Sequence, residues 1–170
     1  MRSAVKWGTL CLLGTLATGA LAQSSSSMGM SHMMAGHTIF FGGSFSGSNE
    51  SKPTMSYGSG KVEAALEGHL MIIAGYYKGL GSKVDAKILG GSHVHLGAKG
   101  VSGPIVFVLT NTGGTAGTLE GTFYLTSKQI KELMAGDFYV NIHTLNNPAG
   151  AIRAQLDPMK SGMGMSKSGM

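Results

Sequence analysis

Between residues 38 and 158 the apolar and polar positions alternate over short stretches, so the chain reads as a series of strands separated by turn residues. Thr38-Ile39-Phe40-Phe41 opens the first strand. Lys61–Leu66 and Leu70–Tyr77 flank Glu67-Gly68-His69 as a hairpin, which places His69 in the turn. Ile105–Leu109 is an unbroken apolar run of the kind that fits a buried strand. Gly/Ser/Asn clusters at 42–48, 79–82, 90–92 and 111–117 punctuate the series. One helix is predicted. Thr126 with Gln129 three residues on makes a capping box, Ile130, Leu133 and Met134 form an apolar stripe, and Gly136 stands where a left-handed cap is needed. The pattern predicts an all-β, antiparallel, Greek-key-like β-sandwich carrying a single short helix.

Alternation also sorts the residues of two strands that carry chemistry. In Phe138–His143 it puts Phe138, Val140 and Ile142 on the core face and Tyr139, Asn141 and His143 on the other. In His93-Val94-His95-Leu96, Val94 and Leu96 face inward. The two imidazoles then project from one face, roughly 6–7 Å apart at the backbone. That spacing suits one ion, and a third histidine on a neighbouring strand completes a three-imidazole copper or zinc site. The candidate ligands are therefore His93, His95 and His143. The same histidines, with Arg153, would also serve as a buried hydrogen-bond network satisfying loop carbonyls.

The ends of the chain differ from its middle. Arg2 and Lys6 precede an apolar stretch from Thr9 to about Ala17 that is too short to span a bilayer, and Ala20-Leu21-Ala22 offers a cleavage site before Gln23. Residues 1–22 read as a signal peptide, so a periplasmic or secreted location is expected, with no transmembrane segment in the mature chain. Cys11 lies inside the apolar stretch, and neither a lipid anchor nor a disulfide is implied. Residues 23–37 and 159–170 are Met-, Ser- and Gly-rich without a packing period, and are expected to be flexible arms bracketing a domain of residues 38–158. Eight of the twelve methionines lie in these arms. Thioethers and imidazoles of Met28, Met30, His32, Met33, Met34, His37, Met163 and Met165 are soft ligands that favour Cu(I).

Charge narrows the partners. Without Arg2 and Lys6, eleven basic residues face eight acidic ones, so the net charge falls from +5 to +3. The lysines are scattered singly, with no basic run or aromatic stripe, which argues against nucleic acid.

His93-Val94-His95-Leu96-Gly97, Gly100–Val106, Leu133–Tyr139, Asn141-Ile142-His143-Thr144 and Asn147–Arg153 together resemble the CHRD domain, the module first defined in chordin and found alone in many secreted bacterial proteins. The family often has Gly-Glu-Ile-Arg-Gly where this chain has Gly150–Ala154, and Gln-Glu-Val-Pro where it has Ser48–Pro53. The resemblance implies an exported module that either binds a metal or acts as a non-catalytic scaffold or adhesion domain for an envelope or extracellular protein. His-Val-His and the late Asn-Pro-Ala-Gly-Ala-Ile-Arg are also similar to the copper strand and arginine loop of Cu/Zn superoxide dismutases, which share the sandwich architecture. That likeness implies a third reading, a copper-only redox enzyme with Arg153 as a cation beside an anionic substrate. The bridging histidine, zinc cluster and disulfide of those enzymes have no counterpart here.

Overall fold

A computed structural model of the protein describes residues 37–160. The strands are β1 (Ile39–Ser46), β2 (Ser59–Glu67), β3 (Leu70–Lys78), β4 (Ser92–Leu96), β5 (Ile105–Val108), β6 (Thr110–Asn111) and β7 (Gly117–Tyr124). The helix α1 (Ser127–Met134) follows, then β8 (Phe138–Thr144), β9 (Asn147–Gln155) and β10 (Asp157–Pro158). Neighbouring strands pair antiparallel in the order β5-β4-β8-β9-β1-β2-β3-β7-β6, with β10 against β1. The two ends of that order, β5 and β6, are consecutive in the chain. Leu109 joins them, buried, with its amide donating to the Ser92 carbonyl. The sheet therefore nearly closes on itself, and the expected sandwich takes this form.

The interior is filled by the inward half of each alternating strand: Phe41 and Phe45, Val62, Ala64 and Leu66, Met71 and Ile73, Val94, Val140 and Ile142, Ile152 and Ala154. Burying side chains of this size stabilises by roughly 1.5–3 kcal/mol each relative to exposure. The helix is capped as expected. Thr126 accepts from the Gln129 amide while the Gln129 side chain reaches back to the Thr126 amide, and Gly136 takes φ +77°. Leu133 enters the core and Ile130 packs against it, whereas Met134 is exposed.

Two expectations are corrected. The apolar run 105–109 is not a buried strand. β5 lies at an end of the sheet order with Ile105 and Val108 exposed, and only Leu109 is fully inside. An apolar run does not distinguish two covered faces from an edge, because the cover comes from elsewhere in the chain. The cluster at 42–48 is not simply a loop either, since β1 runs through Gly42 and Gly43 as far as Ser46. Glycine is required there by close backbone approach: a Cβ on Gly43 would stand 2.0 Å from the Gln155 carbonyl oxygen.

Candidate metal centre

β4 and β8 lie side by side with His93 opposite Asn141 and His95 opposite Tyr139. Since Val94 and Val140 face the interior, these four side chains stand on the outer face of the sheet, and His143 follows on the same strand as Asn141. That outer face is nevertheless buried. His93 is fully enclosed, and His95 and His143 are 8% and 7% exposed. Each ring is held by a backbone carbonyl only four to eight residues away along the chain.

The Nε2 of His93 donates to the Leu89 carbonyl at 2.8 Å, the Nδ1 of His95 to Gly103 at 3.0 Å and the Nδ1 of His143 to Pro148 at 2.9 Å. A carbonyl can only accept, so each of these ring nitrogens carries the proton, and the opposite nitrogen of a neutral ring carries a bare lone pair. Those opposite nitrogens, Nδ1 of His93 and Nε2 of His95 and His143, are buried and have no partner. One nitrogen from each ring lies within 4.8 Å of those of the other two, a buried group that could hold a metal ion. Imidazole bonds of about 2.0–2.1 Å require ligand nitrogens no more than about 4.2 Å apart, so small ring rotations bring all three to a common ion. Burial holds the pKa of His95 and His143 below the ordinary imidazole value. The carbonyl bonds partly offset this, and the neighbouring rings add to it, joined at His95 by Arg153. Neutral rings are what ligation needs.

The loop before His93 is shaped to present that carbonyl. Leu89 has φ +44°, the one described non-glycine residue in the left-handed region, and Gly90 and Gly91 follow at positive φ. Such a conformation costs roughly 1–2 kcal/mol for a leucine.

Around the histidines the outer face continues as a polar lattice. Arg153, on β9 opposite Asn141, is 1% exposed. It donates to the carbonyls of Val101 and Ala98 and to Oε1 of Gln155. Its guanidinium carbon sits 3.4 Å from the Tyr139 ring centroid. The His95 ring lies nearly parallel to the same tyrosine at 4.9 Å. Two flat groups cannot share one face of a phenol ring at these distances, so Tyr139 is sandwiched between Arg153 and His95. The guanidinium of Arg153, which the superoxide dismutase likeness would set beside an anionic substrate, is engaged by loop carbonyls, Gln155 and a stacked ring.

Residues that the pattern of the sequence did not single out complete the lattice. The Asn141 amide donates to both oxygens of Glu50 at 2.8 and 2.9 Å. Burial pushes the Glu50 carboxyl up to about 7, against the opposing pull of Arg153 and of the Asn141 bond. Gln155 ties the Gly97 and Gly136 carbonyls together. Glu50 carried a faint signal as an acid in the altered Ser48–Pro53 segment, but nothing local marks it as buried. His69 sits in the hairpin turn as expected, with its Nδ1 on the Leu125 carbonyl and outside the three-histidine group. His37 is exposed, and Met28, Met30, His32, Met33, Met34, Met163 and Met165 lie outside the described residues. Among the described residues no helix is long and apolar enough to cross a membrane.

A family model described as the CHRD domain matches residues 41–156, which runs from within β1 through the end of β9 and takes in every residue of the histidine site. No curated protein and no solved structure matches the chain.

Proposed function

The chain belongs to the CHRD-domain family, and from that premise we propose that it is an exported copper-binding protein whose fixed site is His93, His95 and His143. One observation carries this reading. Three imidazoles converge, and on each the ring nitrogen opposite the one held by a backbone carbonyl is buried and unpartnered. A buried polar atom left without a partner costs about 1–3 kcal/mol. Three such atoms facing one another make sense when an ion joins them. Carbonyl bonds behind metal-ligating histidines fix the tautomer and raise ligand basicity.

Imidazoles alone accept zinc as readily as copper. The Met-rich segments 23–37 and 159–170 favour copper, because thioethers are soft donors suited to Cu(I). In this reading those segments capture ions and the histidine group holds one. Arg2, Lys6, the apolar stretch 9–17 and Ala20-Leu21-Ala22 support export, where such capture is useful.

The test is titration of the purified, metal-free chain with Cu²⁺, read by electron paramagnetic resonance. A single tight site with nitrogen hyperfine structure is expected, weakened in His95→Gln, a variant that keeps a donor for the Gly103 carbonyl. Ligation needs neutral rings, and both shifted histidines titrate below 6.5, so the ion should be held at neutral pH and released only as pH falls below that value. An unchanged spectrum and affinity in His95→Gln would sink the proposed site.

A further inference from the structure

Among the described residues four buried side-chain nitrogen or oxygen atoms have no hydrogen-bond partner. Three are the free histidine nitrogens, and the fourth is Oδ1 of Asn141. It is not placed at random. Asn141 pairs directly with His93 across β4 and β8, and it stands two residues before His143 on the same face of β8.

Its orientation is fixed from behind. The Nδ2 group donates to both carboxyl oxygens of Glu50, at 2.8 and 2.9 Å, which turns the amide nitrogen toward Glu50 and its oxygen away. The start of β9, which carries Pro148, the residue holding His143, packs on this pair. Gly150 has φ +130°, and a Cβ there would stand 2.6 Å from Nδ2 of Asn141 and 2.8 Å from Oε1 of Glu50. The chain thus uses a glycine where any side chain would dislodge the Glu50–Asn141 contact.

Building on the three-histidine metal site proposed above, we propose that Asn141 supplies an oxygen at the fourth position of the bound ion through Oδ1, with Glu50 as the positioning residue that aims it. The chemical consequence is a preference between oxidation states. Three imidazoles suffice for Cu⁺, whereas an amide oxygen is a harder donor that favours the more highly charged Cu²⁺. The fixed site is then a Cu²⁺ site, distinct in preference from the thioether-rich segments.

The experiment compares Cu²⁺ and Cu⁺ affinities, each by competition with a chelator specific for that state, in the full chain and in Asn141→Leu. Because the single change strands the Glu50 carboxylate, the double variant Glu50→Leu/Asn141→Leu is measured beside it, with thermal unfolding as the check on folding; removing both partners of a buried bond is better tolerated than removing one. Cu²⁺ binding is expected to weaken 10–100-fold, as loss of groups around a metal commonly does, while Cu⁺ binding stays within about twofold. That ratio corresponds to a rise of about 60–120 mV in the reduction potential of the bound copper. Equal weakening of both states, or no change in either while the unsubstituted chain binds copper, overturns the role of Asn141 and leaves the histidine site standing. Failure of the unsubstituted chain to bind either ion overturns both.

Discussion

The same sheet has two outer faces of opposite character. On β2 and β3 burial alternates as for a strand with one wet side: Val62, Ala64, Met71 and Ile73 are inside, while Lys61, Glu63, Ile72 and Ala74 are exposed. On β8 every residue from Phe138 to Thr144 is buried, so Tyr139, Asn141 and His143 are as dry as Val140 and Ile142. Water satisfies polar groups on the first face. On the second, protein must do so, and it does at nearly every atom: Arg153, Gln155 and three ring nitrogens all find carbonyls. Against that background the four unpartnered atoms stand out, and they belong to the three histidines and the asparagine between them. The difference between the faces teaches that the informative feature is not the histidine pair itself but the unfilled remainder of an otherwise complete buried network.

The contrast can be broken most severely at Arg153. Arg153→Ala removes the donors for Ala98, Val101 and Gln155 and empties one face of Tyr139. A loss of about 3–5 kcal/mol is expected in urea unfolding of the metal-free protein. A loss below about 1 kcal/mol would mean that the loops over the histidines do not depend on it.

A smaller effect should appear at Glu50 and depend on pH. Its carboxyl titrates at about 7 in the fold against 4.5 ordinarily, so the folded protein keeps a proton that the unfolded chain releases. The contribution is therefore fully present below pH 4.5 and is lost as pH rises through 7, by up to about 3 kcal/mol. Glu50→Gln should remove that loss, so its stability relative to the unsubstituted protein should grow between pH 4.5 and 8. His95 and His143, whose lowered values give stability that is lost as pH falls below 6.5, are common to both proteins and cancel in the difference. A pH-independent difference would show that Glu50 is solvated.

The smallest effect sharpens the comparison from the wet side. Ile72 on β3 is 52% exposed and opposes Ala65 and Thr122. Ile72→Thr should change stability by no more than about 0.5 kcal/mol and leave copper binding untouched. A larger loss would point to a covering partner on that face.

Local order was legible from the sequence. The β2–β3 hairpin with His69 in its turn, the Thr126 capping box, and the shared face of His93 and His95 all follow from residues a few positions apart, where strand and helix periodicities act directly. The pairing of β4 with β8, which brings His143 to the other two rings, was an expectation about neighbouring strands that periodicity could not supply. What alternation does not contain is whether the face opposite the core will be wet or dry. Here that was decided by loops arriving from far away in the chain: Glu50 meets Asn141 across 91 positions, and Arg153 meets Val101 and Ala98 across 52 and 55. Ile105–Val108 shows the converse, an apolar run left at the end of the sheet order where no further segment among the described residues covers it. Side-chain period is a local property of the strand, whereas burial depends on which segment the closed sheet brings over it, so the sequence alone determined that His93, His95 and His143 leave the core face and only the tertiary structure decided that their nitrogens lie dry, close together and unpartnered.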